Sequence, residues 1–266
     1  MRRVYGVDFS GATDAGRRIW IARGIVVDGR LRIEVCHRAA DLPGAGGARE
    51  PALGALRRLI ATERDAAFGL DFPFSLPADL IDAGTWAAFA AGFARRYPSP
   101  EAFRRACRDA AGGRELRRLT DSEAATPFSP YNLRLFRQTY AGIRDLLAPL
   151  VADDAACALP MQPARPGRAW LLEVCPASTL KRAGRYAPYK GRSDACRAAR
   201  ARILDALEAV EGVIVPADIR RAALDDPGGD ALDSLIAAVA TCQAIADPAF
   251  PGPRDGRYAL EGRVYV

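Results

Sequence analysis

Acidic residues that follow buried apolar runs are the part of this sequence whose types and spacing could do chemistry. Asp8 ends the apolar run 4–7, and the hydroxyl-bearing Ser10 and Thr13 follow it among small residues. An unpaired carboxylate at the end of a buried strand costs several kcal/mol, so it needs a hydrogen-bond donor, a cation or a metal. Alternatively, Asp8 is a simple turn cap assisted by the two hydroxyl groups. Further acids at the same edge would favour the functional interpretation.

Two later apolar runs also end in acids. Asp71 directly follows the run 66–70 and precedes a proline-rich turn, and Glu173 lies near the end of the run 169–174. The order of elements brings these strands into one sheet with the first strand. We therefore expect the three carboxylates to lie near one another.

A pair of acids opens the last long helical segment. Asp230 and Asp233 are three residues apart, which places them on one face in the first turn of a predicted helix over 228–246. The helix dipole favours negative charge there, so the pair taken by itself is better explained as an N-terminal cap and a favourable acid. Asp233, however, lies within an apolar, alanine-rich stretch where a surface role is less natural.

A common explanation for these acids is a bound divalent cation. Clustered carboxylates repel one another unless a cation neutralises them, and oxygen-rich sites suit Mg²⁺ or Mn²⁺. Two such ions about 3.5–4 Å apart activate water and stabilise the leaving oxygen of a phosphodiester. The chemistry requires no histidine, and the chain has a single one. The predicted metal ligands are the four aspartates Asp8, Asp71, Asp230 and Asp233, and the predicted catalytic acids are these four together with Glu173. The predicted substrate contacts are Ser10, Lys181 and Arg137.

The elements that must position these residues read as one α/β domain over 1–266. A first strand is followed by a hairpin around Asp28-Gly29, a helix over 51–63 and a strand over 66–70. This order predicts a mixed five-stranded sheet flanked by helices, with the fourth strand beside and parallel to the first. We expect a short strand at 213–215 and a tail that forms a hairpin or covers a sheet edge.

A helical insertion after the fourth strand is predicted at about 78–157. Helices are expected over 86–97, 100–111 and 131–151. Eight arginines lie between positions 95 and 118, and we interpret them as a solvated basic face in preference to a nucleic-acid groove.

Composition is compatible with this interpretation. Half of the 266 residues are hydrophobic and the net charge is +6, which permits nucleic acid as a partner. The six cysteines are scattered without zinc-site spacing, so we expect reduced thiols. Neither a signal-like N-terminus nor a membrane-spanning run is evident, and a cytoplasmic location is expected; no oligomeric state is predicted.

The acidic motifs resemble a known family. An acid on the first strand, an acid ending the fourth and an Asp-x-x-Asp on the last helix look like the ribonuclease H-like fold, in its Holliday-junction resolvase branch. Almost the whole chain resembles domain-of-unknown-function family 429, predicted nucleases of that fold, and the segments that carry this are 6–11, 69–73, 173–176 and 229–233. The resemblance implies metal binding by Asp8, Asp71 and Asp230/Asp233, and Glu173 matches a further acidic motif. Resolvases of that branch are shorter and lack the insertion, so junction specificity is not carried over.

Two other function classes remain open. The segment 6–13 is not far from the Gly-x-Asp-x-Gly-x-Thr loop of sugar kinases and actin-like ATPases, but those proteins need a second such domain, and the rest of the chain lacks one. In a catalytically silent binding protein, the acids would hold a structural ion or a ligand that is not a nucleic acid.

Overall fold

One mixed sheet of seven strands organises the part of the chain that the structure, a computed structural model describing residues 3–266, contains. Its order is β3-β2-β1-β4-β6-β5, and β7 pairs with β6 beyond the end of β5. The β1–β2 and β2–β3 pairs are antiparallel, and all the others are parallel. The strands are β1 Arg3–Asp8, β2 Trp20–Val27, β3 Arg30–Arg38, β4 Ala66–Leu70, β5 Ala156–Leu159, β6 Ala169–Val174 and β7 Val264–Tyr265.

Helices cover both faces of this sheet. They are α1 Ala15–Arg18, α2 Arg49–Thr62, α3 Trp86–Arg96, α4 Pro100–Ala110, α5 Leu119–Glu123, α6 Phe136–Ala141, α7 Ala148–Ala152, α8 Pro176–Arg182, α9 Asp194–Ala209, α10 Ala217–Asp225, α11 Asp230–Ala246 and α12 Tyr258–Glu261. A π-helical turn, Gly142–Leu147, joins α6 to α7.

Alternation along the central strands assigns each side chain to one of the two faces of the sheet. Tyr5 and Val7 of β1 pack with Phe68 and Leu70 of β4 against α2 and the inserted helices. Val4 faces the opposite core, which α9, α10 and α11 build. Successive strand residues point to opposite faces, so Gly6 and Asp8 face α11 with Val4.

Helix α11 lies directly on the backbone of β1. A Cβ atom at Gly6 would overlap the carbonyl oxygen of Ser234 and the amide nitrogen of Ala238, and one at Gly69 of β4 would overlap the hydroxyl of Thr241. The two glycines pair with each other across the β1–β4 ladder. Side-chain-free positions on both strands therefore let the first turn of α11 reach the end of β1.

This close approach predicts a large effect of a small substitution. Gly6→Ala is expected to lower the free energy of unfolding by about 2 kcal/mol or more, because backbone atoms on both sides must separate. Urea unfolding measures the change. Gly84→Ala is the matched control, since a Cβ there meets open space. Equal stability of the two variants would contradict the close packing of α11 on β1.

Several predicted elements are confirmed and several are wrong. The hairpin at Asp28-Gly29 and the parallel β1–β4 pair are confirmed. The five-stranded sheet is wrong, because β5 occupies the end of the predicted insertion and β7 adds the tail in parallel to β6. The run Ala-Cys-Ala-Leu in β5 is short and weak in β propensity, so only its pairing with β6 makes it a strand.

Two smaller expectations also change. The segment 213–215 forms a single bridge, between Ile214 and Arg32, in place of a strand. The helix predicted over 131–151 begins at Phe136 and is interrupted by the π turn, where Gly142 packs against the ring of Phe72. All six cysteines are free thiols, as expected.

Candidate metal centre

The carboxyl ends of β1 and β4 bring Asp8 and Asp71 side by side. Val7 is in parallel register with Leu70, and the amide of Asp71 donates to the carbonyl of Val7 at 3.0 Å. Each aspartate is thus the next residue after a paired one, on adjacent strands. Asp8 is 9% exposed, so its charge has little access to water.

The first turn of α11 supplies the other two aspartates. A left-handed Gly229 (φ 77°) starts the helix, and Asp226 accepts hydrogen bonds from the amides of Gly228 and Ala231. Because another carboxylate occupies the capping role, Asp230 and Asp233 are not needed as caps. One oxygen each from Asp8, Asp230 and Asp233 lies within 4.8 Å of the others.

This acid cluster, defined as Asp8, Asp230 and Asp233, has a donor set that fits a hard divalent cation. Carboxylate oxygens are the ligands that Mg²⁺ and Mn²⁺ prefer, and no sulfur or imidazole takes part. Asp71 lies outside this closest set, but its pKa is raised by burial and, next, by the negative charge of Asp233. Three of the four predicted ligands therefore converge, and the fourth, Asp71, follows the adjacent strand.

Two residues that the sequence reasoning did not assign complete the site. The ammonium of Lys190 lies 2.7 Å from Oδ2 of Asp233 and 3.8 Å from Oδ1 of Asp230. The hydroxyl of Tyr189 donates to Oδ1 of Asp233 at 2.6 Å. The only signal in the sequence was that Lys190 is one of two lysines in a chain otherwise rich in arginine.

Burial and mutual repulsion shift the titration of the acids. Burial is the largest cause of the raised pKa of Asp8, and the charges of Asp233, Asp230 and Asp71 raise it further. Burial also raises the pKa of Asp233, against the lowering effect of Lys190 and Tyr189. Burial lowers the pKa of Lys190, but attraction by Asp233 and Asp8 outweighs it and leaves that pKa raised. The site therefore concentrates negative charge that a bound cation would relieve.

The shifted acid Asp71 predicts how stability depends on pH. Burial and Asp233 raise its pKa to about 8, from an ordinary value near 3.8. The folded state therefore binds this proton more tightly than the unfolded chain, so stability is lost as the pH rises from about 4 to about 8. The metal-free protein is expected to melt a few degrees higher at about pH 6 than at about pH 8, measured by scanning calorimetry.

The Asp71→Asn variant is the control for this dependence. It lacks the titrating group, so its melting temperature should fall less between the same two pH values. A wild-type melting temperature that rises over this range would contradict the assignment.

Glu173 lies on the opposite face of the sheet from the acid cluster. It is in register with Leu70 rather than with Asp71, and successive strand residues alternate between faces. Its Oε1 accepts from the buried guanidinium of Arg118 at 2.5 Å, and Oε2 accepts from Arg118 at 2.7 Å and from the amide of Phe74 at 2.9 Å. Both oxygens of Glu173 are thus engaged in joining the inserted helices to β6.

Arg118 also corrects the expectation of a solvated basic face. It is 1% exposed and makes a second bidentate contact, with Asp121, while the other seven arginines of that group are exposed or partly exposed. The backbone amide of Leu119 donates to Glu261, so α12 closes the same network. One arginine of the predicted basic face is therefore buried and links Glu173 to Asp121.

The three predicted substrate contacts lie on three different segments: the loop after β1, α6 and α8. Ser10 is on the loop after β1, where its Oγ accepts from the amide of Ala12 at 3.3 Å. Arg137 is exposed and pairs with Glu101 at 2.9 Å. Lys181 lies on α8 with its ammonium 5.5 Å from the ring of Tyr186, and it lines a separate pocket with Tyr258 and Arg263. The neighbour of Arg137, Gln138, reaches the site instead and donates to the carbonyl of Asp71.

A cleft of about 280 Å³ opens beside the acids. Its lining includes Asp71, Tyr189, Lys190 and Asp233, and also the buried ion pair of Glu173 with Arg118. The inserted segment contributes Phe128, Arg134, Leu135 and Gln138 to the lining. The guanidinium of Arg134 lies 5.5 Å from the centre of the Phe128 ring. The cleft thus combines carboxylates with aromatic and cationic side chains.

Comparisons with known proteins place the chain in a family. None of the helices in residues 3–266 combines the length and apolar character needed to cross a membrane. No curated protein and no solved structure matches the chain significantly. A family model described as "Protein of unknown function (DUF429)" matches residues 6–255. Since that match spans nearly the whole sequence, the chain belongs to the DUF429 family.

Proposed function

We propose that the protein is a metal-dependent nuclease with a ribonuclease H-like architecture. The observation that carries this proposal is the convergence of Asp8, Asp230 and Asp233, from the first strand and the last long helix, within 4.8 Å. The antiparallel β1–β2–β3 unit followed by a parallel β4 agrees with that architecture. Acids held this close, with Asp8 and Asp233 buried, are costly to the fold, which favours a functional reason for keeping them.

The residues divide the work of such a reaction between them. Asp8, Asp71, Asp230 and Asp233 would hold Mg²⁺ or Mn²⁺, which supply an activated water and neutralise charge on the leaving oxygen when bound. Arg134 and Phe128 line the same cleft as Asp71 and Asp233, where they suit a phosphate group and a nucleobase, respectively. Gln138 fixes the Asp71 backbone, and Tyr189 orients Asp233.

A panel of end-labelled nucleic acids tests the proposal. Single-stranded and duplex DNA, RNA, an RNA–DNA hybrid and a branched junction are incubated with the wild-type protein and Mg²⁺, Mn²⁺ or a chelator. Metal-dependent cleavage of at least one substrate is expected. An Asp233→Asn protein purified in parallel is the matched control, because cleavage by a contaminating nuclease would persist in that preparation. Equal cleavage by both proteins, or none by either, would contradict the nuclease.

The ion pair between Lys190 and Asp233 favours a second candidate function. A lysine that already neutralises the acids makes a non-catalytic site for an ion or a small cationic or hydroxyl-rich ligand physically reasonable. In that case Mn²⁺ binding measured by calorimetry would persist in a protein that cleaves none of the panel.

A further inference from the structure

Lys190 forms ion pairs with two of the acids that would bind a divalent ion. Its ammonium contacts Asp233 at 2.7 Å and Asp230 at 3.8 Å, and both of these acids belong to the acid cluster. With Tyr189 on the other oxygen of Asp233, that carboxylate has a partner on each side. A metal ion that binds Asp233 must therefore compete with the lysine.

Hydrogen bonds fix the backbone around Lys190, whereas its side chain is half exposed. The buried guanidinium of Arg200 donates to the carbonyl of Tyr189 at 2.6 Å and to that of Gly191 at 3.0 Å. The thiol of Cys196 donates to the carbonyl of Lys190 at 3.4 Å. The Lys190 side chain, in contrast, is 53% exposed and lines the cleft. A change of side-chain rotamer thus moves the ammonium without moving the loop.

The cleft gives the displaced ammonium a place to act. Lys190, Asp233 and Arg134 all line it, so a cation leaving Asp233 remains in the space where an anionic group would bind. A lysine ammonium is a compact charge with three donors, which suits a phosphate oxygen.

We propose that Lys190 is an internal cation that neutralises the acid cluster in the metal-free protein, moves into the cleft when a divalent ion binds, and there binds a phosphate group of the nucleic-acid substrate. This inference rests on the proposed metal-dependent function. It assigns one residue to two successive partners, first the carboxylates and then the substrate.

The small number of lysines makes the displacement directly observable. Reductive methylation with ¹³C-formaldehyde labels only Lys181, Lys190 and the terminal amine while keeping their charge. Titration with Mg²⁺ is expected to shift the Lys190 methyl resonance in the NMR spectrum and to leave that of Lys181 unchanged. Lys181→Arg and Lys190→Arg proteins assign the two resonances, and the experiment itself uses the wild-type chain.

A second measurement tests the competition and the phosphate contact. Lys190→Met is expected to tighten Mn²⁺ binding about tenfold by calorimetry at about pH 8, a modest coupling for a close charge pair. The same variant should bind single-stranded DNA about tenfold more weakly in the presence of Ca²⁺, since a phosphate contact is lost. Lys181→Met is the matched control and should change neither constant.

The outcomes separate this inference from the proposed function. If the wild type binds Mn²⁺ and the Lys190 resonance does not move, with equal Mn²⁺ affinity in Lys190→Met, the internal-cation role is wrong and the metal site stands. If neither the wild type nor Lys190→Met binds Mn²⁺, the metal-dependent function fails and the inference fails with it.

Discussion

Replacing Asp8 by Asn is expected to abolish Mn²⁺ binding and to lower phosphodiester cleavage by about three orders of magnitude, since a metal supplies several kcal/mol of charge stabilisation. Asp8 is the only acid of the cluster that comes from a strand, and it faces both aspartates of α11. An amide of the same shape keeps the packing and removes one negative ligand. Calorimetry with Mn²⁺ and the cleavage assay measure the two effects.

The same substitution is expected to stabilise the metal-free protein. Burial raises the pKa of Asp8, which means that holding its negative charge in the folded state is unfavourable at neutral pH. Removing that charge should raise the melting temperature by a few degrees, as removal of a strained functional group often does.

The control for Asp8→Asn is Asp14→Asn. Asp14 is an exposed acid that pairs with Arg18 at 2.7 Å, so its replacement should change neither metal binding nor cleavage and should alter stability only slightly. An Asp8→Asn protein that is less stable and binds Mn²⁺ as tightly as the wild type would show that Asp8 has a structural role alone.

Arg118→Met is expected to have the largest effect on stability, a loss of about 3–5 kcal/mol in the free energy of unfolding. The substitution leaves the carboxylates of Glu173 and Asp121 buried without their shared cation. Each then carries a desolvation cost that its remaining hydrogen bonds, such as that from the Phe74 amide to Glu173, offset only in part. Chemical denaturation measures the loss, and Arg105→Met, at an exposed position of α4, is the matched control.

A double substitution checks the physical cause. If uncompensated charge is responsible, Arg118→Met combined with Glu173→Gln should recover part of the stability that Arg118→Met loses. Additive losses would instead indicate that Arg118 acts mainly through its packing. Mn²⁺ affinity near that of the wild type in Glu173→Gln would agree with the position of Glu173 on the far face of the sheet.

The sequence predicted the centre of the site because its signals are local. Asp8 and Asp71 each follow an apolar run, and Asp230 and Asp233 share a helix face, so their elements could be read without knowing the fold. Glycine at positions 6 and 69 carried a further signal, since both precede a site acid by two residues and mark the close approach of a helix.

For Glu173, the sequence predicted the position at a strand end but not the face of the sheet on which the side chain lies. Its position near a strand end was correct, but a register difference of one residue places its side chain on the other face. Only the pairing of β6 with β4 determines that register, and no pattern within residues 169–174 encodes it.

Lys190 and β7 depended on contacts between distant parts of the chain. Lys190 lies in a loop whose shape is set by Arg200 of α9, so its meeting with Asp233 leaves no periodic signal. The two residues of β7 become a strand because they pair with β6. In each case the decisive partner is an element that is far away in sequence.

The packing of α11 on β1 has a consequence for biosynthesis. A ribosome makes β1 first and α11 near the end, so a nascent chain carries Asp8 long before the two aspartates that complete the acid cluster. Proteins whose key contacts span most of the chain form those contacts late in folding. A partly translated chain would therefore lack the complete acid cluster, and the proposed metal-dependent activity would begin only after α11 has emerged.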